Sequence, residues 1–164
     1  MGRSLVAGLL LAVASLAQAE VPATADALFA ATLNDLNDRP AALAAWKGKP
    51  MIVNFWARWC GPCRTEIPEL VKLRAARKSQ GLEVMGIAIE EQAESVRDFA
   101  KAYDMDYPVL VAEDKGIPLM QALGNSKTAL PFTIAIDRNG RIVAHKLGPL
   151  KGADLEAAAA AALR

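Results

Sequence analysis

Two short apolar runs, Met51-Ile52-Val53-Asn54-Phe55 and Leu82 to Ile89, are separated by a stretch of helical spacing, and a cysteine pair stands where the first run ends. Both runs are rich in β-branched residues and almost free of charge, which predicts strands buried on both faces. Ile67, Leu70 and Val71 share one face of the intervening stretch, and Gly81 is placed to end it. Strand, helix, strand is a βαβ unit with parallel strands and a right-handed crossover. The chain is thereby committed to an α/β fold.

The flanking segments extend that core. Thr32 to Asn37 and Ala41 to Trp46 bracket the turn-like Asp38-Arg39-Pro40, a hairpin or irregular lead-in. Val96, Phe99, Ala100 and Tyr103 recur at helical intervals and are followed by an extended piece from Tyr107 to Val111. Ile117 to Leu123 reads as a helix stopped at Gly124. Phe132 to Ile136 and Ile142 to Ala144 flank Asn139-Gly140, a strong hairpin signal, and Ala153 to Leu163 is an alanine-rich closing helix. At 164 residues this is one domain, a mixed α/β core ending in an antiparallel hairpin and a covering helix.

Arg3, the apolar run Leu5 to Leu16 and the small residues of Ala17-Gln18-Ala19 have the order of a secretory signal peptide, so residues 1–19 are expected to be removed and the exported protein to begin at Glu20. The alternative is an uncleaved membrane anchor. Residues 20–31 are small and polar, expected as a loose leader, with the domain proper at 32–164. Without Arg3 the chain carries 18 basic and 18 acidic residues, a balance that offers no electrostatic footprint for nucleic acid. A periplasmic monomer is expected.

Two cysteines in an exported chain are ordinarily one structural bridge, but a C-x-x-C link closes so short a loop that it constrains the unfolded chain little. Such a pair suits opening and closing. Cys60 is expected at the N-terminus of the helix, where free N–H groups and the helix dipole favour a thiolate. Cys63 follows about one turn later as the resolving thiol, and Pro62 fits the first turn because its missing N–H costs nothing there. Pro68 is expected to kink the helix. Zinc would need about four ligands, and the only histidine, His145, is distant in the chain and expected as a solvated strand residue. No metal or cofactor is expected. Trp59 is expected to shield the dithiol, and Glu90-Glu91-Gln92-Ala93-Glu94 to form an acidic first helical turn. Glu66 lies three residues after Cys63 on the same face, where it either serves the dithiol or is a solvated partner of Arg64 or Arg74.

The run Val53-Asn54-Phe55-Trp56-Ala57-Arg58-Trp59-Cys60-Gly61-Pro62-Cys63-Arg64-Thr65-Glu66-Ile67-Pro68 resembles the active-site segment of the TlpA and ResA thiol-disulfide oxidoreductases, periplasmic or membrane-tethered relatives of thioredoxin. The resemblance extends through a helix-strand insert at Ser95 to Val111 and through Leu130-Pro131-Phe132-Thr133-Ile134-Ala135-Ile136-Asp137-Arg138-Asn139-Gly140. It implies a thioredoxin-like fold with a central mixed sheet. It also implies a cis peptide before Pro131, packed against the dithiol, and a substrate groove shaped by Leu130 and Pro131 beside Trp59, Gly61 and Pro62. Asn54 replaces the buried aspartate of thioredoxin, and the family offers Glu66 in its place. Phe132 stands where these proteins more often have threonine, a change expected to bear on the groove.

The activity implied is reduction of disulfides in exported client proteins, in cytochrome c maturation or copper-oxidase assembly, with electrons from a membrane thiol reductant of the DsbD or CcdA type. Two other readings stay open: a disulfide oxidase, and a chaperone holding Cu(I) on the two thiolates.

Overall fold

A computed structural model describes residues 21–164, so the expected signal peptide at 1–19 lies outside the described residues. Seven strands, numbered in chain order, form one mixed sheet. Its centre is the predicted unit: β3 (Met51–Trp56) pairs in parallel with β4 (Glu83–Ala88) across helix α2 (Gly61–Arg77). The helix stops earlier than Gly81, whose φ of +84° instead closes a short 3-10 turn at Lys78–Gln80. All six residues of β3 are buried, as helices on both faces require. Pro68 lies within α2, which remains one helix on either side of it.

The insert, α3 (Ala93–Ala102) and β5 (Val109–Val111), adds a parallel strand beside β4. Its other edge accepts the antiparallel hairpin β1 (Thr32–Asp35) and β2 (Pro40–Ala42). The residues after Ala42 form a 3-10 turn, Leu43–Trp46. On the far side of β3, β6 (Phe132–Ile136) and β7 (Ile142–Leu147) make the Asn-Gly hairpin, with Gly140 at φ +77°. Asp137 steadies the turn by accepting backbone N–H bonds from Asn139 and Arg141, each 2.9 Å.

Alternation along the strands divides the apolar residues into two cores. Ile52 and Trp56 face α2, α3 and the closing helix α5 (Ala153–Leu163), while Met51, Val53 and Phe55 face α1 (Asp26–Ala30) and α4 (Gly116–Ala122). The leader therefore departs from expectation. Leu28 and Phe29 of α1 are buried in the second core, the Ala25 N–H donates to the Gly140 carbonyl at 2.9 Å, and the Ile142 N–H donates to the Ala23 carbonyl at 3.0 Å. Two large apolar side chains among small ones dock the segment beside α4 on this face of the sheet. Among the described residues no helix is long and apolar enough to cross a membrane.

Candidate active site

β3 ends at Trp56 and the chain turns through Ala57 to Trp59 before α2 begins, so Cys60 becomes the N-cap residue with extended backbone. Its sulfur accepts the Cys63 N–H at 3.2 Å, an orphan donor of the first helical turn. Gly61 and Pro62 occupy that turn. Cys60 and Cys63 are joined as a disulfide with Cα atoms 5.3 Å apart; Cys63 is fully buried, and only Cys60 has a sliver of surface at 5%. On reduction, the Cys63 N–H that now faces the sulfur and the positive end of the α2 dipole stabilise a Cys60 thiolate.

Behind the disulfide, one turn along α2, the Glu66 side chain is completely buried. Three donors converge on it. The Leu150 N–H and the Thr133 hydroxyl both reach Oε1 at 3.1 Å, and the Asn54 amide reaches Oε2 at 3.2 Å. Asn54 also donates to the Thr133 hydroxyl at 2.9 Å. Burial pushes the Glu66 carboxyl up to about 7, against the three hydrogen bonds that favour its charge. The solvated alternative, a pair with Arg64 or Arg74, is thereby overturned: Arg64 bonds the Tyr103 hydroxyl and Arg74 stands beside Glu83. The Tyr107 phenol, from the turn before β5, is buried and raised in pKa by desolvation and by the Glu66 charge.

The Leu130-Pro131 peptide is cis, with Pro131 buried at the start of β6. Trp59 is 73% exposed and offers an apolar surface one residue before Cys60. Phe132 is also corrected. It points into the second core against Phe55, ring centroids 5.8 Å apart, and so contributes to packing under the sheet instead of to a groove. His145 is exposed on β7. Among the described residues no three His, Cys, Asp or Glu side chains are grouped to hold a metal ion.

The redoxin family profile matches residues 17–163. The chain belongs to the redoxin family. Its sequence is 32% identical over 111 residues to the thiol-disulfide oxidoreductase ResA of Bacillus thuringiensis subsp. konkukian, covering 68% of this chain and 62% of that protein. ResA of Bacillus subtilis is 33% identical over 111 residues, covering 68% of this chain and 60% of the relative. The redoxin thus spans about three-fifths of the length of these curated relatives. A thiol:disulfide interchange protein of the thioredoxin family from Chlorobium tepidum superposes with a TM-score of 0.72 at 30% identity, covering 90% of this chain and 99% of that one. The fold is thioredoxin-like.

Three parts of this redoxin's site escaped sequence reasoning. Thr133 is one; its signal is a polar residue in an apolar strand, in register with Asn54, the only polar residue of β3. The Leu150 N–H carries no sequence signal at all. The third is Glu90, expected in a helical first turn but standing before α3, where it accepts the Arg58 N–H at 2.5 Å and the Arg58 guanidinium at 2.6 Å. That contact pins the loop that presents Cys60.

Proposed function

We infer that this redoxin is a thiol-disulfide oxidoreductase that reduces disulfides of exported client proteins. The observation that carries the reading is a disulfide capping a helix, backed by a buried carboxyl whose proton affinity lies near neutrality. The reduced Cys60 thiolate attacks one sulfur of a client disulfide; the other client sulfur leaves as a thiolate, and Cys60 is now bonded to the client. Cys63 gives its proton to Glu66 and attacks the Cys60 sulfur. The bond to the client breaks, the client leaves fully reduced, and the Cys60–Cys63 disulfide forms. Two electrons have passed from the protein to the client.

Trp59, Gly61, Pro62 and Leu130 would form the surface on which a client lies, shaped from beneath by the buried Pro131. The Gly61-Pro62 dipeptide is of the kind found in reducing thioredoxin. A membrane thiol reductant of the DsbD or CcdA type would restore the dithiol, and the clients would belong to cytochrome c maturation or copper-oxidase assembly. Residues 1–19 would direct export and be cleaved before Glu20, which N-terminal sequencing of periplasmic protein checks. The function is tested with Cys63→Ser, which leaves Cys60 able to attack but not to be released. Mixed disulfides accumulate on Cys63→Ser and not on Cys60→Ser. Equal trapping by both, or tight Cu(I) binding with no disulfide exchange, overturns the assignment.

A further inference from the structure

A client lying on Cys60 covers the exposed edge of the dithiol, yet Glu66 must pass on the proton it takes from Cys63 if Cys63 is to stay a thiolate until it attacks. Glu66 has no surface of its own. Two of its three hydrogen-bond partners, however, form the inner wall of a second space. A cavity of about 380 Å³ lies between β6, β7 and α5, with Thr133, Ala144 and Leu150 inside and the exposed His145, Lys146 and Asp154 around its mouth. It does not include Cys60, Cys63 or Trp59 in its lining. Its volume is far above the roughly 30 Å³ share of one liquid water, and polar groups from Thr133 to Asp154 give water something to bind.

We propose that this cavity is the proton port of the dithiol site, and that Thr133 is the positioning residue joining it to Glu66. The proposal rests on the oxidoreductase reading. When Glu66 is ionised, the Thr133 hydroxyl donates to Oε1 as observed. When Cys63 has handed over its proton, the Glu66 O–H donates to Thr133 Oγ1, and the hydroxyl hydrogen of Thr133 turns towards a cavity water. The proton leaves to that water and Glu66 returns to the carboxylate, so the carboxyl is reset while the client still occupies the other face. The charged and titratable groups around this path are Cys63 on α2, Tyr107 before β5, His145 and Lys146 on β7, and Asp154 on α5; β3 and β6 contribute only neutral Asn54 and Thr133.

The test is single-turnover kinetics of the full chain with a fluorescent glutathionyl peptide, which separates Cys60 attack from resolution by Cys63. Ala144→Leu fills the cavity from β7, a strand that carries neither Glu66 nor the dithiol. It slows resolution severalfold and leaves the attack phase at the wild-type rate. Thr133→Val removes a hydrogen bond to a charged group, so resolution slows about tenfold and the pH midpoint of that phase rises by about one unit. Thr133→Ser restores both. Should Ala144→Leu not fold, Ala157→Leu narrows the same cavity from α5. Resolution at the wild-type rate in a folded cavity variant overturns the port, as does equal slowing of both phases. A wild-type protein that forms no mixed disulfide would instead sink the oxidoreductase reading itself.

Discussion

Glu66 has a different environment in the folded and unfolded chain, and the sign of its effect follows from linkage. Its carboxyl is raised from 4.5 to about 7, so between those values the folded state holds the extra proton. The contribution of this group to stability is fully present below pH 4.5 and is lost as pH rises through about 7. The shift corresponds to about 3 kcal/mol. Glu66→Gln removes that loss, because the amide does not titrate. Denaturant unfolding from pH 4 to 8 at fixed ionic strength therefore shows a declining curve for the wild type relative to the variant. With the negative charge gone, the thiols of the reduced variant titrate at lower pH while exchange near neutrality slows. Parallel stability curves and unchanged thiol titration would contradict both. Glu90 acts through backbone as well as charge. Glu90→Ala leaves the Arg58 N–H without its partner and lowers stability by about 1–2 kcal/mol, a change read in urea midpoint.

Whole elements owe their positions to what they cover. The segment before β1 is held by α1, by the hairpin turn at Gly140 and by α4, whose end at Gly124 comes so close that a Cβ there would lie 2.7 Å from the Val21 Cα. Leu28 is completely buried in this arrangement. Leu28→Ala accordingly destabilises the protein by about 3 kcal/mol, the size of a core truncation. A thermal melt within a degree of wild type would mean the segment is the loose leader that its composition implies. The insert has a similar structural logic: β5 lies between β4 and β1 and provides the edge that the β1–β2 hairpin joins.

At the scale of the molecule, the sheet carries a core on each face, and β3 belongs to both. Opening β3 therefore exposes both cores at once. Amides of Ile52 to Phe55 are expected to exchange with solvent only through global unfolding, while those of β2, an edge strand with no fully buried residue, exchange by local opening. Native-state hydrogen exchange measured by NMR distinguishes them; β3 amides exchanging as fast as β2 would contradict this ranking.

Short-range chemistry was legible in the chain itself. The two β-branched runs, the helical face of Ile67 and Leu70, the Asn139-Gly140 turn and the alanine-rich end each specify their element through neighbours a few residues away, and the structure has all of them. The position of Cys60 at a helix N-terminus follows from the same local order. The cis Leu130-Pro131 bond came only with the family resemblance, because a strand-initiating proline is compatible with either isomer. The state of Glu66 was settled by tertiary structure, since its three donors come from β3, β6 and Leu150, the last 84 residues away in sequence. Burial of the leader, the pinning of Arg58 by Glu90 and the inward turn of Phe132 are of the same kind. Periodicity identifies which face of an element is apolar, but whether a polar group on that face meets water or three hydrogen-bond donors depends on which distant segments close over it.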